Sequence, residues 1–176
     1  MLLSYRKKTG ERLYLAKKAG RKLRKKKNPK LPLTESERFN LRKAKVKLSE
    51  IYKTEVNHLA EILNVSVERA RDIKGLATFQ QVPSIGPEMA KKLVDILHIY
   101  SLEEIKDKNG ADLFDELERR MGVWTDPCVE DQIRCIIYFA NNPASDKKWF
   151  DFTEERKQFR KLHGYPDTRP DKPWFA

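Results

Sequence analysis

The sequence predicts an all-α protein. Apolar residues recur at three- and four-residue spacing along most of the chain, no run alternates as a strand would, and helix-starting residues head each apolar run. The chain has 176 residues, of which 39% are hydrophobic and 36% charged, a mixture suited to one folded core with appendages. Four segments follow from composition: a basic arm over 1–33, a helical, helix-turn-helix-like segment over 34–74, a helical domain around a hairpin over 75–141, and an aromatic-rich extension over 142–176 that should wrap the body.

The net charge of +11 is not spread evenly. Residues 1–31 carry 13 Lys and Arg against one acid, Glu11, a net of +12, and the remainder is close to neutral at −1. Residues 75–176 are slightly acidic, with 15 basic and 18 acidic side chains. Lys22, Arg24, Lys25, Lys26 and Lys27 form the densest cluster and are expected to attract a polyanion from a distance. Leu13, Leu15, Ala16, Ala19 and Leu23 give the arm a thin apolar stripe, too thin for stable membrane anchoring. The plainer reading of the arm is a solvated tail.

Each later element has its own start signal. Thr34 and Glu37 stand at capping-box spacing, and Leu41, Ala44, Leu48 and Ile51 then continue as one amphipathic helix. Two short helices follow, capped by Thr54 and Ser66 and joined at Asn64-Val65. If this pair reads DNA, Ser66–Lys74 is the recognition helix, with Arg69, Arg71 and Lys74 reaching out. A core element is the favoured reading, because Glu68 and Asp72 interleave with the basic residues. Asn109-Gly110 splits two helical stretches between Leu102 and Arg120, and Asp126-Pro127 opens a helix over about 128–140. Thr153–His163 reads as one short helix within the aromatic extension.

Enzyme chemistry finds no support. His58, His98 and His163 lack metal-ligand spacing, and no phosphate-binding glycine loop or nucleophile elbow is present. Asp126, Glu130 and Asp131 crowd one helix start, where capping and the helix dipole account for them. Cys128 and Cys135 lie two helical turns apart, about 10 Å, too far for a disulfide. They read as reduced core cysteines, although a thiol in the first turn of a helix, as Cys128 is, can become more acidic. No catalytic residue, cofactor or metal is expected. No apolar run reaches the roughly 18 residues of a membrane span. The opening residues turn basic after a brief apolar start, the reverse of a secretory signal, so a cytoplasmic protein is expected.

The informative stretch is Leu76–Leu97. A helix ends near Gln81, Val82-Pro83-Ser84-Ile85-Gly86 reverses the chain, and a second helix opens at Pro87. Val82 and Ile85 should tuck inward, Ala90 should permit close helix approach, and Leu93, Ile96 and Leu97 should continue the buried face. This hairpin resembles the helix-hairpin-helix motif, apolar-Pro-Gly-apolar-Gly followed by a helix with Ala four residues on. The resemblance implies a backbone phosphate held at Ser84, Ile85 and Gly86, with Lys91 or Lys92 in support and Gly86 needed for the hairpin's shape. Such a contact is sequence-neutral. Two departures stand out: Ser84 occupies the first glycine position, and Glu88 sits where its carboxylate could satisfy the same amides.

A longer resemblance covers most of residues 75–150: the hairpin, Tyr100–Lys106, Leu113–Leu117, Gly122-Val123, Asp126-Pro127-Cys128 through Arg134-Cys135, Tyr138–Ala140 and Trp149. In that order these motifs resemble the bacterial pathogenicity-locus helix-hairpin-helix family. The resemblance implies a tandem helix-hairpin-helix-like domain, with 121–127 as a degenerate second hairpin, and a non-enzymatic DNA-binding accessory protein. Two other partners stay open: a protein bound by the near-neutral body in a regulatory module, and RNA or the ribosome bound through the arm and hairpin.

Overall fold

The computed structural model describes residues 28–175. The described residues form an all-helical fold, and the basic cluster Lys22, Arg24, Lys25, Lys26 and Lys27 lies outside them. Helix α1 spans Glu35–Lys43, α2 Val56–Leu63, α3 Val67–Phe79, α4 Pro87–Lys91, α5 Leu102–Ile105, α6 Gly110–Met121, α7 Cys128–Asn141 and α8 Thr153–His163. Helix α4 continues without a break into a π-helical turn, Lys92–Ile96. Short 3-10 turns occupy Leu48–Lys53 and Trp149–Phe152.

The Thr34–Glu37 capping box forms, with each side chain bonded to the other residue's backbone. The amphipathic run through Ile51 does not form one helix, however. Lys45 takes a left-handed conformation (φ 57°), and its amide and that of Val46 donate back to the carbonyls of Arg42 and Leu41. This closing motif satisfies the terminal carbonyls of α1, and Leu48 and Ile51 return to the core on a separate 3-10 turn. Thr54 is not the cap of α2. Glu55 fills that role, accepting the Asn57 amide, while the Thr54 hydroxyl donates to the Glu50 carbonyl. Asn64 at φ 55° ends α2, and Ser66 caps α3 as expected.

Helix α3 runs unbroken across residues 74–75, where composition suggests a segment boundary. Gly75 sits so close to Val94 that an added Cβ would approach its Cγ2 to 3.0 Å. Helix α3 packs against α2, the Leu48–Lys53 turn and α4, while α7 packs against α5, α6, α8 and the Trp149–Phe152 turn. One continuous apolar core joins both groups, with Phe79 and Phe114 its largest fully buried side chains.

The carboxylates at the start of α7 have a different role from the expected one. Asp126 does accept the Cys128 amide at 2.7 Å. Glu130 and Asp131 are instead buried, and C-terminal arginines neutralise them. Arg160 reaches Glu130 and Asp115, Arg156 reaches Asp131, and Arg169 reaches the buried Glu118. The Tyr165 ring contacts both the Arg160 and Arg169 guanidiniums, with its centre 4.4 Å from the first and 3.8 Å from the second. Trp124 donates its amide to the Lys172 carbonyl and receives that of Trp174, so the final residues bind the α6–α7 connection. The acids and arginines together explain why the extension adheres to the body: burial of either sign demands the other.

Candidate nucleic-acid interface

The hairpin between α3 and α4 is held from below. Val82 and Ile85 are buried, as are Ala90, Leu93 and Leu97, while Ile96 is half-buried. Ser84 adopts φ 60°, the left-handed conformation a glycine would take more cheaply. Its hydroxyl donates to the Pro83 carbonyl at 2.6 Å and accepts the Trp149 amide at 3.0 Å. The strained residue is thus bound on both sides.

Gly86 departs from expectation. Its φ of −105° is open to any residue, and an added Cβ would meet nothing within 4 Å. The fold therefore does not require glycine here. The Ile85 amide bonds back to the Val82 carbonyl at 3.3 Å, so the turn consumes it. Pro87 has no amide proton. Among the described residues the amides of Gly86, Glu88 and Met89 find no acceptor, and no side chain caps α4. The Glu88 carboxylate pairs with Lys91 at 3.5 Å instead of folding back over those amides. First-turn amides without partners, at the positive end of a helix, favour an anion. The Glu88 and Met89 amides thus join Gly86 where the sequence singles out Ser84 and Ile85.

Lys91 is exposed and Lys92 half-buried on the same helix. Arg69 is committed to Glu37 at 3.0 Å and to the Pro32 carbonyl at 2.6 Å. That guanidinium also holds the Glu37 carboxyl below its usual range. Arg71 is exposed, its guanidinium 5.8 Å from the Tyr100 ring centre.

Sequence reasoning missed Gln80. Its side chain is buried and clasps the Lys30 backbone, accepting the Lys30 amide at 2.8 Å and donating to the Lys30 carbonyl at 3.0 Å. Pro29–Pro32 and Arg38 then line a groove with Pro87, Glu88 and Lys91. The junction between the basic arm and the body is therefore fixed beside the start of α4. No sequence signal pairs positions fifty residues apart.

No group of three or more metal-ligating side chains occurs among the described residues. No helix among them is long and apolar enough to cross a membrane. Cys135 is buried and Cys128 half-buried, and neither forms a disulfide. Burial, and then Asp126, push the Cys128 thiol up to about 11, which outweighs any acidifying effect of the helix start.

No curated protein and no solved structure matches the chain. Residues 72–158 match the family model described as pathogenicity locus, Cdd1. The matched stretch holds the hairpin, α4–α7, the buried acids and the Trp149–Phe152 turn. By that match residues 72–158 belong to the pathogenicity locus family.

Proposed function

We propose that this is a non-enzymatic DNA-binding protein that holds the backbone of duplex DNA through a helix-hairpin-helix and the basic arm. The observation that carries this reading is the Gln80 clasp on Lys30. It roots a segment of net charge +12 next to a helix start whose amides have no side-chain cap. The arm supplies long-range attraction independent of sequence, and the hairpin fixes one phosphate and orients the body. Arg69 has its Nε and one terminal nitrogen engaged within the fold, by Glu37 and the Pro32 carbonyl.

The test is duplex affinity across a salt series for the full chain and two variants. Every phosphate the protein no longer neutralises should flatten the slope of log K against log salt by about 0.9. Replacing Lys22 and Arg24–Lys27 by Gln should flatten it by several such steps. Gly86→Ser places a capping oxygen over the free amides, so it should preserve stability while releasing about one phosphate. Unchanged affinity in Gly86→Ser would refute the hairpin's role. Tighter binding to RNA of equal length and salt would move the reading to RNA.

A second reading rests on the exposed Trp174 and Phe175, at 58% and 67%. Aromatics so exposed on a near-neutral body suit a protein partner. Capture of such a partner that survives nuclease treatment and is abolished by Trp174→Ala favours it.

A further inference from the structure

The near-neutral body hides a segregation of charge. Residues 38–53 hold Arg38, Arg42, Lys43, Lys45, Lys47 and Lys53 against Glu50, a net of +5, so residues 54–176 carry −4. The basic stretch covers the end of α1, the reversal at Lys45 and the Leu48–Lys53 turn. Arg42, Lys43, Lys45 and Lys47 are exposed, and none forms an ion pair among the described residues. Most arginines elsewhere hold carboxylates, as Arg69, Arg134, Arg156, Arg160 and Arg169 do. The negative end of the α1 dipole accounts for Arg42 and Lys43. It does not account for Lys47, which lies beyond the helix, or for the residue at 45. Lys45 takes φ 57°, where glycine is the cheaper residue and the usual one for this closing motif. A lysine kept there at a cost to stability points to a use for its charge.

The patch is continuous with the root of the arm. Arg38 and Leu48 line the same groove as Lys30 and Lys91. Arg38 and Arg42 stand at i and i+4 on one face of α1, so that face leads from the groove to the reversal. The groove also receives the end of the segment of net charge +12. A polyanion drawn in by the arm thus meets further cations on the body. Lys and Arg without acidic partners suit backbone phosphates, which carry no base identity. We propose that Arg42, Lys43, Lys45 and Lys47 form a second contact surface, which holds the backbone of the same DNA duplex that the arm attracts. The patch lies outside residues 72–158, the stretch that matches the family. The proposal rests on the DNA-binding reading above and adds to it a surface separate from the hairpin amides.

The experiment measures duplex affinity across a salt series for the full-length protein and three variants. In the first, Arg42, Lys43, Lys45 and Lys47 are all replaced by Gln. In the second, the exposed Lys108, Lys157, Lys161 and Lys172 are replaced by Gln, which removes the same charge from other places. The patch variant should flatten the slope of log K against log salt by about 3, and the control by less than about 1. The third variant, Lys45→Gly, should raise the urea midpoint and yet flatten the slope by about 0.9, which separates the lysine's charge from the fold. Equal slopes in the two quadruple variants overturn the proposal and leave the DNA reading standing. So does a patch variant that keeps its duplex affinity but no longer binds vesicles of phosphatidylserine and phosphatidylcholine, which assigns the patch to a membrane surface. Absence of duplex binding by the unaltered protein removes the DNA reading and this surface with it.

Discussion

Arg160 is the side chain on which attachment of the C-terminal extension should depend most. Its Nε donates to Glu130 at 2.8 Å, and its two terminal nitrogens hold both Asp115 oxygens at 2.8 and 3.1 Å. Further donors reach the carbonyls of Ala111 and Gly164. The Arg160 side chain is 8% exposed and that of Glu130 is fully buried. Arg160→Met keeps much of the stem's volume and deletes the charge. Breaking a buried pair by removing one partner costs about 3–5 kcal/mol. Glu130 retains Arg134 at 2.8 Å, and Asp115 is partly open to water, so the lower end, about 3 kcal/mol, is expected. At about 2–4 °C per kcal/mol, the midpoint of thermal unfolding should fall by roughly 6–12 °C. Urea unfolding followed by circular dichroism measures the destabilisation directly. The double variant Glu130→Met/Arg160→Met should recover part of it, because Glu130 is then no longer a buried carboxylate short of a partner. A destabilisation under about 1 kcal/mol would refute the reasoning and reduce the clamp to the worth of a surface ion pair.

Three further predictions follow from single interactions. Ser84→Ala should lower stability by about 1 kcal/mol by taking away the Trp149 amide's acceptor, whereas Ser84→Gly should come out near neutral, since relief at φ 60° offsets that effect; equal urea midpoints for the two variants would contradict this. Glu37, held below its usual 4.5 chiefly by Arg69, contributes stability that is present above that value and disappears as pH falls through its folded value. The stability gap between the native chain and Arg69→Met should therefore narrow as urea unfolding is moved from pH 7 toward pH 3, and a pH-independent gap would count against the linkage. Cys128, with its thiol near 11, should react with a disulfide reagent at pH 8 about a hundredfold more slowly than an unperturbed thiol, and a rate typical of a free cysteine would show the thiol to be less shielded than its surroundings imply.

Much of the secondary structure is legible in the sequence because its signals are local. The Thr34–Glu37 box, the Ser66 cap, Asn109 before Gly110 and the Thr153–His163 helix each depend on residues within a turn or so of one another. The break at Lys45 is not legible, since a lysine at positive φ carries no mark in the sequence and the apolar spacing runs straight through it. The hairpin is legible in outline but not in two of its details. Ser84 does take the left-handed conformation, and Gly86 is not needed for shape. Pattern matching assigns residues to a motif's positions, while φ and free amides depend on what surrounds them.

The sequence by itself determined the helical class, the concentration of positive charge in the first 31 residues and the place of the hairpin, because periodicity, composition and turn chemistry are properties of contiguous residues. Only the tertiary structure decided that Gln80 anchors Lys30 beside α4, that Trp149 braces Ser84, and that Glu118, Glu130 and Asp131 are buried against distant arginines. Each of these joins residues more than twenty positions apart. Such pairs are selected by the shape of the packed core and the cost of leaving a buried polar group alone, and neither exists until the chain has folded.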